Sequence, residues 1–335
     1  MFRGKEKRHI LSINDFSKDD ILDLIGTTYE MKAHPEKFEG SLKGWKVAEM
    51  FYGVSSRTFD SFGQAARDLG GTADMGFRTP AGTAIEKGEA LVSSGQTYRG
   101  YGANVIVLRH TLDGAARYMA EALDDNFERG LADKRVWVIE GGTGNKEHST
   151  QNFLDLFTFH EAYGRLNGLR CAIIGDLLYG RTIRFVLPLS LFDDIEVTFL
   201  SHPRLALAED IRRTLDERGV KYNEVFDPDA LPDILPNVDF VYGSRNQENR
   251  FPHTAEGEEL KRAVRDFAVV DKRLLNSLSL HDNFRVFHAL PIDKGHPCIK
   301  YDVEETPHCG YLRESENGYH TRKVELFKIG HEEWI

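Results

Sequence analysis

Short apolar runs alternate along the chain with stretches in which apolar residues recur at helical spacing. The runs Val47–Tyr52, Val105–Leu108, Val136–Ile139, Cys171–Asp176, Val197–Leu200, Phe240–Tyr242 and Val286–Pro291 predict buried strands. Behind a capping-box-like Ser17–Asp20, the stripe Ile21, Leu22, Leu24, Ile25 and Tyr29 predicts a helix. Phe59, Phe62, Ala66 and Leu69 share one face of a second, with Gly70 as its stop. Further helices are predicted over about 113–123, from His148 to Gly164, and over about 207–218, 258–267 and 321–328. Strands alternating with helices imply parallel sheets covered by helices on both faces. The segment Arg78–Glu89, with Pro80, Gly82, Lys87 and Gly88, lacks periodicity and predicts an exposed, mobile loop. Gly141–Asn145 predicts a glycine turn after a strand; it lacks the Gly-Lys-Ser/Thr ending of a phosphate-binding loop.

Composition narrows the class. A chain of 335 residues is long for one core and suggests two doubly wound α/β domains, divided along the helix after His148. Its 41% hydrophobic and 11% aromatic content is that of a globular protein, and no apolar run is long enough to span a membrane. The charged N-terminus leads into no signal-type apolar segment, so the cytoplasm is the default compartment. Cys171, Cys298 and Cys309 have no paired spacing, which argues against a disulfide framework and a zinc site. A net charge of −10 argues against nucleic acid as a general partner. An anionic substrate would need arginines concentrated locally.

The predicted strand ends supply that concentration. Ser55-Ser56-Arg57-Thr58 places three hydroxyls and a guanidinium where a strand turns into a helix. The first backbone N–H groups of a helix lack internal partners and carry positive potential, so this is a credible phosphate cradle; an ordinary N-cap is the alternative. Arg57, Arg109, His148, Arg181 and Arg245 each follow a predicted strand. In open α/β sheets ligands bind beyond the carboxyl ends of the strands. The residues alone therefore point to a small, multiply anionic substrate bound between two α/β domains.

Several of these stretches resemble family motifs. Ser55-Ser56-Arg57-Thr58 is similar to the carbamoyl-phosphate motif of the aspartate/ornithine transcarbamylases, and His148-Ser149-Thr150-Gln151 to their His-Pro-x-Gln motif. Gly175–Thr182, Arg245-Asn246-Gln247 and His288-Ala289-Leu290-Pro291 resemble the aspartate branch in particular. The resemblance spans nearly the whole chain. It implies a carbamoyl-phosphate domain over residues 1–150, with 308–335 packing back on it, and an amino-acid domain over 151–307. It implies transfer of the carbamoyl group from carbamoyl phosphate to the amino group of L-aspartate, a step toward pyrimidines. Ser55, Ser56, Arg57, Thr58, Arg109, His148 and Gln151 would bind carbamoyl phosphate, with Arg57, Thr58, Arg109 and His148 as the catalytic group. Arg181, Arg245, Gln247 and Leu290 would bind aspartate, joined by Lys87 from a neighbouring subunit of a homotrimer. No metal or organic cofactor is implied, and regulatory or partner chains remain compatible with the pattern.

The chain also departs from the family pattern. Gly53 stands for an acidic residue, Phe59 for an arginine, Ala84 for a serine, Ser149 for a proline and Leu178 for a lysine. Asn249 stands for a glutamate, Ala289 for a proline and Ile292 for an arginine. These changes keep two alternatives open: a carbamoyltransferase for another amine, and a non-catalytic anion-binding or assembly homologue. A nicotinamide oxidoreductase is disfavoured, since GxGxxG follows no early strand.

Overall fold

The computed structural model describes residues 9–331 except Asn145, Glu147 and Lys294, and only the backbone at Asn249. Asn145 of the expected glycine turn, the side chain of Asn249 and residues 332–335 therefore lie outside the described residues. The chain forms two compact units, one up to Phe157 and from Asn317 onward, the other from Thr158 to Glu316. The sequence placed the boundaries after residues 150 and 307. The divisions fall inside two helices, Ser149–Tyr163, which is the helix that follows His148, and Tyr311–His331, where the residue pattern does not break.

In the first unit the order is α1 (Lys18–Ala33), β1 (Lys46–Phe51), α2 (Ser56–Asp68), β2 (Thr72–Phe77), α3 (Leu91–Gly100), β3 (Val105–His110), α4 (Ala115–Glu128), β4 (Trp137–Thr143) and α5 (Ser149–Tyr163). The four strands lie in the order β2-β1-β3-β4, and every pairing is parallel. Val47, Ala48, Met50 and Phe51 of β1 and Val105–Leu108 of β3 are fully buried, as strands covered on both faces require. The predicted capping box forms: Asp20 N–H donates to Ser17 Oγ at 3.1 Å and Ser17 N–H to Asp20 Oδ2 at 2.8 Å.

Sequence periodicity missed β2 because it is a half-exposed edge strand with little apolar content. It lies so close to β1 that a Cβ on Gly76, where φ is +117°, would fall 2.0 Å from the Glu49 carbonyl oxygen. The glycine turn needs correction as well. Gly141, Gly142 and Thr143 continue β4, and the Thr143↔His110 pair extends the ladder.

In the second unit the order is β5 (Arg170–Gly175), α6 (Val186–Leu189), β6 (Glu196–Leu200), α7 (Glu209–Glu217), β7 (Lys221–Val225), α8 (Leu231–Ile234), β8 (Phe240–Ser244), α9 (Ala255–Ala263), α10 (Lys272–Ser277) and β9 (Arg285–His288). The five strands run in the order β7-β6-β5-β8-β9, again all parallel. Phe159 anchors this core, stacked on Phe240 at 4.4 Å and set against Phe185 and Phe287 at 5.1 and 5.0 Å. The polar edge strand β7 was not legible in the sequence. The final helix, α11 (Tyr311–His331), begins with Tyr311 in the second unit's core. From Asn317 it belongs to the first unit, where Phe327 packs edge-on against Phe38 at 5.0 Å and Lys32 donates to Asn317 Oδ1 at 3.1 Å.

Candidate active site

In the first unit the sheet order reverses at β1: the chain leaves it to one side for β2 and returns on the other for β3. Such a switch point opens a crevice at the strand ends. Residues 55–58 follow β1, and Arg109, next to last on β3, is in register with Phe51. Ser55 is the extended N-cap of α2, and its hydroxyl donates to Thr58 Oγ1 at 3.1 Å. Ser56 and Arg57 are exposed while Thr58 is buried. The cap residue's hydroxyl makes no bond to the helix backbone.

Arg109 Nη1 donates to the Gly141 carbonyl at 3.0 Å, which holds the guanidinium beside the extended end of β4. A Cβ on Gly53 would sit in ordinary van der Waals contact with Arg109 Nε at 3.9 Å, which places Gly53 next to that side chain. His148 is buried at the start of α5, with its Nδ1 3.5 Å from Thr150 Oγ1. Gln151 Nε2 donates to Asp155 Oδ1 at 2.9 Å, one turn further along α5. Three chain segments of one unit thus carry Ser55, Ser56, Arg57, Thr58, Arg109, His148 and Gln151.

Ser61 ties this cradle to α11. Its hydroxyl donates to the Arg57 carbonyl at 2.6 Å and accepts from Arg322 Nη1 at 2.8 Å. Arg322 is buried, and desolvation lowers its guanidinium to about 10, Glu325 raising it and Arg57 lowering it. Neither Arg322 nor Glu325 shows in the sequence as anything but part of a helical stripe. Glu49 on β1 is a second buried acid, pushed by burial to about 8 against the pull of Arg67 and Arg78.

In the second unit the order reverses at β5, between β6 and β8. Gly175 and Ser244, the last residues of β5 and β8, are in register. The helix start expected at Leu177–Thr182 is instead a turn around buried Asp176, followed by a 3₁₀ segment Arg181–Phe185. Asp176 Oδ1 accepts from the N–H groups of Leu178 and Tyr179 at 3.1 and 2.8 Å, and Oδ2 from Gln247 N–H at 2.9 Å. Burial raises the Asp176 carboxyl, and these three N–H groups pull it back. One carboxylate therefore joins the loop carrying Arg181 to the loop carrying Arg245 and Gln247. Short-range periodicity could not reveal it, because its partners lie up to 71 residues away.

Gln247 Nε2 donates to the Arg245 carbonyl at 3.3 Å. Leu290 N–H donates to the His288 carbonyl at 2.7 Å, and the Leu290–Pro291 peptide is cis.

The loop expected to be mobile is hydrogen-bonded internally. Thr83 Oγ1 donates to the Pro80 carbonyl at 2.6 Å, Gly82 N–H donates to Glu86 Oε2 at 2.9 Å, and a 3₁₀ turn runs Ala84–Lys87. Lys87 and Ala84 are exposed on it. Phe59 packs edge-on against Phe51 at 5.2 Å and lies 4.4 Å beneath Arg78, which also pairs with Asp60 at 2.7 Å. Ile292 is buried in the apolar core of its unit, and Leu178 is exposed. Among the described residues no cluster of three or more His, Cys, Asp or Glu could hold a metal ion. No helix among them is long and apolar enough to cross a membrane.

The aspartate/ornithine carbamoyltransferase carbamoyl-phosphate-binding domain matches residues 8–161, and the aspartate/ornithine-binding domain of the same family matches residues 167–327. The aspartate carbamoyltransferase catalytic subunit of Thermococcus onnurineus is 34% identical over 326 residues, covering 95% of this chain and 96% of the relative. That of Thermofilum pendens is 36% identical over 322 residues, covering 95% and 94%. Among solved structures, the catalytic subunit of M. jannaschii aspartate transcarbamoylase superposes with a TM-score of 0.80 at 31% identity, covering 97% of this chain and 100% of its own. Aspartate transcarbamoylase from Trypanosoma cruzi, solved with carbamoyl phosphate and aspartate, gives 0.81 at 26% identity and 96% of each chain. The chain belongs to the aspartate/ornithine carbamoyltransferase family.

Proposed function

We propose that the chain is an aspartate carbamoyltransferase, making N-carbamoyl-L-aspartate and phosphate from carbamoyl phosphate and L-aspartate. The observation that carries this reading is the placement of both residue sets. Hydroxyls, two arginines and a histidine gather at the switch point of one sheet, and two arginines with a glutamine at that of the other.

The N-terminus of α2 with Ser55, Ser56, Arg57 and Thr58 receives the phosphate dianion, whose oxygens displace the Ser55–Thr58 bond. As the amine lone pair forms the C–N bond, charge builds on the carbonyl oxygen. Thr58, Arg109 and His148 donate to it. The side-chain oxygen of Gln151 accepts from the carbamoyl NH₂. The bond between the carbonyl carbon and the bridging phosphate oxygen then breaks, and the departing phosphate takes the proton shed by the amine. Arg181 and Arg245 clamp the two carboxylates of aspartate, with Gln247 and the Leu290 backbone orienting it. Much of the rate comes from holding amine and carbonyl in line. On this reading the chain requires no metal or organic cofactor. It acts in the cytoplasm, on the path to pyrimidines, as a homotrimer in which exposed Lys87 serves a neighbour's site.

The test is an amine panel with carbamoyl phosphate, following phosphate release and identifying the product. Aspartate should be the preferred acceptor. Turnover with another amine but not aspartate would remove the assigned acceptor, and no turnover with any amine would remove the enzyme. Sedimentation under assay conditions should give a trimer; an active monomer contradicts the shared site.

A further inference from the structure

We propose that Glu140 and the backbone N–H of Ser149 form a single positioning unit that sets His148 and Gln151 for carbamoyl transfer. The proposal rests on the role assigned above to those two residues. Glu140 lies fully buried on β4, paired with Leu108 of β3. Its Oε1 accepts from Gly142 N–H at 2.5 Å and its Oε2 from Ser149 N–H at 2.7 Å. The two donors bracket the segment that leads to His148, so one carboxylate closes the connection from β4 into α5. The Glu140 N–H itself donates to the Ile10 carbonyl at 2.7 Å, which fixes the strand end from the other side.

The serine contributes through its main chain. Its Oγ is buried with no hydrogen-bond partner among the described residues, while its N–H is engaged by a charged acceptor. Proline at this place would have no N–H to give. It would leave Oε2 of a buried carboxylate without its donor, which is costly where water cannot replace it. Glutamate at 140 and a residue with an N–H at 149 are therefore one choice. Gln151 N–H and Asn152 N–H both donate to the His148 carbonyl, at 2.9 and 3.1 Å, so the turn fixed by Glu140 also sets the backbone from which the Gln151 side chain projects.

The test is a cycle of variants assayed for kcat and for the KM of carbamoyl phosphate. Ser149→Ala keeps the N–H and should stay near wild type. Ser149→Pro and Glu140→Gln should each lower kcat about 100-fold, the scale of misplacing a reacting group by about an ångström. The KM of carbamoyl phosphate should move much less, because residues 55–58 are untouched. Glu140→Gln combined with Ser149→Pro should recover to within about tenfold of wild type, since no N–H then faces the glutamine NH₂. A merely structural role would move melting temperature and leave the ratio of kcat to KM effects unpatterned. If Ser149→Pro alone does not fold, Glu140→Gln against the double variant tests the same coupling. A double variant no more active than Glu140→Gln overturns the inference and leaves the enzyme reading intact. A wild type that carbamoylates no amine overturns both.

Discussion

Replacing Glu325 with leucine should stabilise the protein, and increasingly so as pH rises. The side chain is fully buried on α11, and neither carboxyl oxygen has a hydrogen-bond partner among the described residues. Burial lifts the carboxyl from its ordinary 4.5 to about 8; Arg322 pulls it down and Glu140 pushes it up. Between those two values the folded chain holds a proton that the unfolded chain has released. Stability therefore falls as pH climbs through this window and levels off above about 8. The penalty is about 1 kcal/mol at about pH 5.5 and about 4 kcal/mol at about pH 7.5. Leucine is somewhat larger than glutamate and has no charge to desolvate. The gap between variant and wild type should thus widen by about 3 kcal/mol over that interval, or roughly 6–12 °C in Tm for a domain of this size. Glu49, similarly raised, is present in both proteins and cancels. Thermal melts at the two pH values provide the assay. A variant less stable than wild type at both, or a gap that does not move with pH, would refute the reasoning. It would mean that Glu325 is ionised and paired with Arg322.

Arg57→Ala should abolish turnover, about 100-fold or more in kcat, by removing charge from the phosphate cradle; near-normal turnover would contradict that role. Arg245→Ala should raise the KM of aspartate by about tenfold or more with carbamoyl-phosphate binding unchanged, as titration of both substrates would reveal. Asp176→Asn loses a charged acceptor shared by three N–H groups and should destabilise the protein by about 2 kcal/mol, measured by denaturant melts, with aspartate KM raised as well. Burial raises all three thiols, Cys298 to about 12, so Cys171 and Cys298 should resist a thiol reagent in the folded protein while half-buried Cys309 reacts.

The sequence by itself determined the alternation of strands and helices, because apolar period depends on neighbours along the chain. It also determined which residues fall at strand ends: Arg57, His148, Arg181 and Arg245 follow strands in the structure, while Arg109 is the penultimate residue of β3. The edge strands β2 and β7 escaped because an edge strand needs less apolar surface, and its pairing is long-range. Strand order was not legible at all. It is decided by which strands pair, and it is what brings Ser55–Thr58 beside Arg109 and the Arg181 loop beside Arg245. The buried acids were equally hidden. Glu49, Glu140, Asp176 and Glu325 are ordinary charged letters in the chain. Only tertiary burial sets what each does: Glu140 and Asp176 are met by backbone N–H groups, while Glu325 and one oxygen of Glu49 find no hydrogen-bond partner among the described residues.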